Sequence, residues 1–81
     1  MTKKQAKDLY CAVAKRFDNF NTCYTDEEWN DIQVEMGLVV NAKSDGMAAR
    51  VIRHWNCWDR KLSAMKCARA FREQWKAMNK R

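Results

Sequence analysis

Apolar residues recur at spacings of three and four along most of the chain, which is the pattern of amphipathic α-helices. The first such segment follows Thr2, which together with Gln5 forms a capping box, a common start of a helix. The pattern predicts a helix over residues 3–20. One face of that helix is apolar and is expected to turn inward; it carries Ala6, Leu9, Tyr10, Val13, Phe17 and Phe20.

A second capping box, formed by Thr25 and Glu28, predicts a second helix over residues 26–36. Its buried face is predicted to carry Trp29, Ile32 and Met36. Gly37 suits the position just after a helix end, because glycine adopts the left-handed conformation found there. We therefore expect residues 38–40, an apolar run, to form a loop that fills the core.

The stretch from residue 47 to residue 78 carries two apolar stripes on nearly opposite sides of a helix. A single straight helix could not bury both stripes against the same neighbour. We expect a bend or short break near Asn56, giving helices over 46–56 and 57–79, with Ser44 or Asp45 as the first cap. If the long basic helix is continuous, its second stripe needs a partner subunit.

The composition favours an all-α fold, because only two glycines and no proline interrupt the chain. At 81 residues the chain has the size of one domain, predicted to be a bundle of three to four helices. No apolar run approaches the roughly 20 residues that cross a bilayer, so a membrane role is disfavoured. The predicted core contains Leu9, Val13, Phe17, Phe20, Trp29, Ile32, Met36, Val51, Ile52, Trp55, Trp58 and Leu62.

Charge divides the chain into two unlike halves. Residues 1–40 hold five Lys and Arg against seven Asp and Glu, a net of −2, whereas residues 41–81 hold eleven against three, a net of +8. So basic a half favours a polyanionic partner, with nucleic acid ahead of an acidic protein surface. The alternative is that the basic residues form an ordinary solvated face.

The basic residues of the second half are spaced so that they fall opposite the apolar stripes, on the predicted solvent side. Arginine predominates, and its planar guanidinium suits phosphate groups. The candidate partner-binding residues are Arg50, Arg53, His54, Arg60, Lys66, Arg69, Arg72 and Lys76. The order of helix and turn over residues 32–53 is similar to a helix-turn-helix, but the predicted connection from Gly37 to Ser44 is longer than the usual turn.

A second hypothesis is a protein interface, because Trp and Arg often anchor interfaces and the last stretch mixes both. Its candidate residues are Phe71, Trp75 and Met78. They would serve a homodimer, or an accessory factor of the phage or mobile-element type that inhibits or redirects a host machine such as a nuclease or defence complex. The alternative is that they close the core.

Catalysis is not expected. The sequence has one histidine, His54, and lacks a glycine-rich phosphate loop and a G-x-S-x-G motif. The four cysteines have no C-x-x-C spacing, so we expect no metal, and free thiols in a reducing cytoplasm. No cofactor and no small-molecule substrate are predicted.

Overall fold

The computed structural model describes residues 1–17, 24–53, 55 and 63–79. Within these residues the regular elements are α-helices and there is no strand, which confirms the all-α prediction. The four helices, in chain order, are α1 (Lys3–Ala14), α2 (Asp26–Val40), α3 (Asp45–Ile52) and α4 (Ala64–Asn79). Helix α4 packs against the other three, so it closes the bundle.

Both predicted capping boxes are present. In α1 the Oγ1 of Thr2 accepts a hydrogen bond from the N–H of Gln5 at 3.1 Å, and the Gln5 side chain accepts one from the N–H of Thr2 at 2.8 Å. In α2 the same two bonds join Thr25 and Glu28 at 3.2 and 3.1 Å. Each box satisfies two backbone donors that a helix start otherwise leaves unpaired.

Serine side chains cap the two later helices. Ser44 Oγ accepts from the N–H of Met47 at 3.2 Å, and Ser63 Oγ accepts from the N–H of Lys66 at 3.2 Å. The second half is therefore two helices rather than one, which resolves the conflict between its apolar stripes. The predicted bounds were wrong, because α3 ends at Ile52 and α4 begins at Ala64. Asn56, the predicted cap, lies outside the described residues.

Helix α1 is shorter than the predicted 3–20. It ends at Ala14, where the backbone tightens: the N–H of Arg16 donates to the Val13 carbonyl at 2.9 Å, and the N–H of Phe17 to the Ala14 carbonyl at 3.3 Å. These i to i−3 bonds are typical of a helix end. Phe17 is consequently only partly buried, at the edge of the core.

Helix α2 continues past Gly37 to Val40, so the predicted end at residue 36 and the loop over residues 38–40 were wrong. The physical reason is Val39, which is completely buried and which, as part of the helix, joins Ile32 and Met36 on the face that packs into the core. The helix ends at Asn41, whose side-chain amide donates to the Gly37 carbonyl at 2.9 Å.

Tyr10 lies at the centre of the core and is completely buried. Its ring contacts the rings of Trp29 at 5.5 Å between centroids, Phe71 at 5.8 Å and Trp55 at 6.2 Å. Its hydroxyl lies 3.0 Å from the hydroxyl of Tyr24. Rings from three helices and a connecting segment thus meet at one residue, and such aromatic contacts stabilise a core beyond simple area burial.

Most of the predicted core is confirmed. The predicted residues that are buried are Leu9, Val13, Trp29, Ile32, Met36, Ile52 and Trp55. Phe17 and Val51 pack against this core but are partly exposed, whereas Phe20, Trp58 and Leu62 lie outside the described residues. Helix α4 adds a buried face of its own, formed by Cys67, Ala68, Ala70 and Phe71.

Candidate functional site

The candidate basic residues fall into three groups. His54 and Arg60 lie outside the described residues, so nothing is stated of their surroundings. Arg72 is partly buried. The remaining candidates are exposed on α3, at its end, or on α4: Arg50, Arg53, Lys66, Arg69 and Lys76.

Asp45, the first residue of α3, binds two arginines of α4. Its Oδ2 accepts from Nε of Arg69 at 3.0 Å, and its Oδ1 accepts from Nη1 of Arg72. Nη2 of Arg72 also donates to the Ala42 carbonyl at 3.0 Å, and this side chain is only 19% exposed. Arg72 therefore joins the start of α3 to α4, which corrects its assignment to a free binding face.

Arg69 has a mixed role. It forms an ion pair with Asp45, yet its side chain stays 58% exposed. Exposed ion pairs contribute little to stability, because water and salt screen them. Arg69 thus remains accessible at the edge of the α3–α4 contact.

The hydrogen bond from Arg69 holds the pKa of the Asp45 carboxyl below its ordinary value against the opposing effect of burial, and the guanidinium of Arg72 lowers this pKa further. A carboxyl with a lowered pKa in the folded state stabilises the fold above its unfolded pKa. That contribution is lost as the pH falls through the folded pKa.

We therefore expect Asp45→Asn to be less stable than the wild type at neutral pH, and the difference to vanish in acid, below the ordinary aspartate value of 3.8. Urea unfolding of the variant and the wild type measures their free energies of unfolding at neutral and at acidic pH. Asp8→Asn, at an exposed position of α1, is the control and should track the wild type at each pH. A difference that is independent of pH would contradict the role assigned to the Asp45 carboxylate.

A cleft of about 640 Å³ lies between α3 and α4. It is lined by Ser44, Gly46, Met47, Ala49, Arg50, Arg53, Ser63, Ala64 and Met65. Two of these residues are cationic and none is acidic. Asp45 lies between the lining residues Ser44 and Gly46 in the sequence, but its carboxylate forms ion pairs with Arg69 and Arg72.

Arg50 and Arg53 give the cleft its charge. They are three residues apart, so they project from neighbouring positions on the same side of α3 and its end. Both are exposed, and neither forms an ion pair with another of the described residues. Their guanidinium groups are therefore available to an anionic ligand.

The first turns of both helices also line this cleft. Gly46 and Met47 belong to the start of α3, and Ala64 and Met65 to the start of α4. A helix start carries a partial positive charge and backbone N–H groups. The positive ends of these dipoles and the two arginines all favour an anionic ligand.

The predicted protein interface is not formed as one exposed patch. Phe71 is completely buried and belongs to the core, which corrects its assignment. Trp75 is partly buried and packs against the same core, whereas Met78 is 42% exposed. The second apolar stripe of the sequence therefore serves mainly to hold α4 on the bundle.

The sequence-based prediction missed the serines and methionines that line the cleft. Ser63 could have been found, since it precedes a helical segment as a typical cap. Ser44 and Ser63 line the same cleft because α3 and α4 pack against each other. That packing is not encoded in any local sequence pattern.

Within the described ranges, no group of His, Cys, Asp and Glu side chains could hold a metal ion. None of the described helices combines the length and apolarity needed to span a bilayer. No family model matches the chain, and no curated protein or solved structure is significantly similar to it. Function is therefore inferred from the residues and their geometry.

Proposed function

We propose that this chain is a non-catalytic binding protein that docks on nucleic acid through the cleft between α3 and α4. Arg50 and Arg53 are assigned to phosphate contacts, and the exposed side chains of Lys66 and Arg69 extend the positive surface along α4. The observation that supports the proposal most strongly is a cleft lined by two guanidinium groups that form no ion pair with the described residues, and by no acid among those residues.

Phosphate groups match each part of this cleft. Guanidinium groups bind phosphate oxygens through paired, charge-assisted hydrogen bonds. Helix starts add backbone donors and a favourable dipole for the same group. A cleft shaped by two helix starts therefore suits the repeated phosphates of a nucleic-acid backbone better than it suits a neutral ligand.

The short connection between α2 and α3 also supports the proposal. Because α2 extends to Val40, the connection comprises only residues 41–44. That length falls within the three- to four-residue turn of a helix-turn-helix, in which the second helix contacts DNA. In this arrangement α3, which carries Arg50, is the contacting helix.

The alternative hypothesis is an accessory factor that inhibits or redirects a protein machine through Phe71, Trp75 and Met78. It receives less support, because Phe71 is buried and Trp75 packs against the core. Only Met78 among the three is exposed, at 42%.

The proposal is tested by binding of the chain to fluorescently labelled duplex DNA, single-stranded DNA and duplex RNA over a range of salt concentrations. If two to four cations contact phosphates, the logarithm of the affinity should fall linearly with the logarithm of the salt concentration, with a slope of roughly −2 to −4. Polyglutamate serves as the competitor, because it offers carboxylates without phosphates. Absence of binding to all three nucleic acids, or binding that salt does not weaken, would refute the proposal.

A further inference from the structure

The solvent-facing side of α2 carries a regular stripe of its own. Its members are separated by four, three, four and three residues, the spacing that places side chains along a helix–helix seam. All five are exposed: Glu27, Asp31, Val34, Leu38 and Asn41. The buried face of α2 lies on the other side, so this stripe is not used by the core.

The middle of the stripe is apolar. Val34 is 66% exposed and Leu38 is 57% exposed, the two largest values among the described large hydrophobic residues. They line a groove of about 540 Å³ between α2 and α3, to which Met47 and Val51 add further apolar surface. Exposed apolar surface of this kind, continuous across two helices, marks a site of association.

Gly37 lies beside this apolar surface, inside α2. Glycine is a poor helix former, and the fold does not require it here: a side-chain Cβ at this position would have nothing within 4 Å. The missing side chain instead leaves room on the outer surface of the helix. Small residues at such positions let a second helix approach closely.

Charge changes sign along the same face. Glu27 and Asp31 lie toward the start of α2, and Lys43 lines the groove beyond its end. A second copy that lies antiparallel about a two-fold axis would place Val34 opposite Leu38 of that copy, and Leu38 opposite Val34. The same register would bring Glu27 close to Lys43 of that copy, and the two-fold axis would repeat this contact at the other end of the seam. A face that matches itself in this way is what a two-fold dimer needs.

We propose that this face of α2, with the groove it shares with α3, is the interface of a homodimer. The occupant is a second copy of this chain, because an antiparallel copy presents the complementary order of charges along the seam. A nucleic acid would be repelled by Glu27 and Asp31, and so would a uniformly acidic helix. The proposal does not depend on nucleic-acid binding, since it rests on other side chains than Arg50 and Arg53.

The first test is analytical ultracentrifugation of the whole chain from micromolar to millimolar concentration, where a monomer–dimer equilibrium is expected. Leu38→Glu should weaken dimerisation by roughly tenfold or more, because it places an acid at the centre of the seam. Ala77→Glu, at an exposed position of α4 outside both candidate interfaces, is the control and should leave dimerisation unchanged. Circular dichroism of both variants verifies the fold.

The second test reverses the charges at the ends of the seam. Glu27→Lys should weaken the dimer, because it brings two lysines together, and Lys43→Glu added to it should restore dimerisation. A chain that stays monomeric at millimolar concentration would overturn the proposal. So would a dimer that is insensitive to Leu38→Glu, or a double variant that fails to recover.

Discussion

Alanine in place of Phe71 is expected to lower the free energy of unfolding by about 3–5 kcal/mol. The side chain is completely buried, and its ring contacts Tyr10 at 5.8 Å and Trp55 at 5.7 Å between centroids. Its loss leaves a cavity at the point where α4 meets the other helices. For 81 residues a total stability of roughly 4–12 kcal/mol is typical, so this single change removes much of it.

Urea unfolding monitored by circular dichroism measures this loss. Met78→Ala on the same helix is the control, because that side chain is 42% exposed and its truncation should change stability by no more than about 0.5 kcal/mol. If Phe71→Ala left stability unchanged and abolished an association instead, Phe71 would be an interface residue and the packing of α4 described above would be wrong.

The second large effect concerns Arg50 and Arg53. Replacing both with glutamine is expected to weaken binding to nucleic acid by roughly a hundredfold at 0.1 M salt, since each phosphate contact contributes roughly tenfold there through counterion release. The salt slope should become shallower by about 2. Glutamine is uncharged and polar and has a similar helix propensity, and both sites are exposed, so the thermal midpoint should stay nearly constant.

The matched control is Lys4→Gln combined with Lys15→Gln. It removes the same net charge from exposed positions on and just after α1, a helix that contributes no residue to the cleft. Because neither lysine lines the cleft, the control should bind nearly as the wild type does. Equal losses in both double variants would indicate diffuse attraction to net charge rather than a defined site.

Helix starts were predictable from the sequence because their determinants are local. Thr2 with Gln5, and Thr25 with Glu28, are each three residues apart and satisfy each other without help from the rest of the fold. The same holds for Ser44, one of the two residues predicted to cap the third helix. Most core positions on α1 and α2 followed from periodicity for the same reason.

Helix ends were harder to predict because tertiary packing decides them. Gly37 favours termination locally, but the burial of Val39 outweighs that preference and carries α2 to Val40. In α1 the apolar pattern continues through Phe17, yet the helix stops at Ala14. Local propensity is a weak guide wherever burial in the core competes with it.

The candidate site was predictable only in part. Arg50 and Arg53 lie on the exposed side that the apolar stripe predicts. Arg72 does not, because its partner Asp45 is 27 residues away in sequence and meets it only when α3 and α4 pack together. The cleft itself exists only between those two helices, so no local pattern could have placed it.

Trp55 has a consequence for the arginine beside it. Its backbone N–H donates to the Ile52 carbonyl at 2.9 Å, its indole N–H donates to Glu35 of α2, and its ring is nearly completely buried. Arg53 thus lies between Ile52 and Trp55 in the chain, and both of these residues are buried in the core. In the proposed function, a backbone fixed in this way reduces the conformational entropy that is lost when Arg53 binds a phosphate, because only the side chain remains to be ordered. The proposal therefore assigns Trp55 an indirect part in phosphate binding, through the backbone that it fixes.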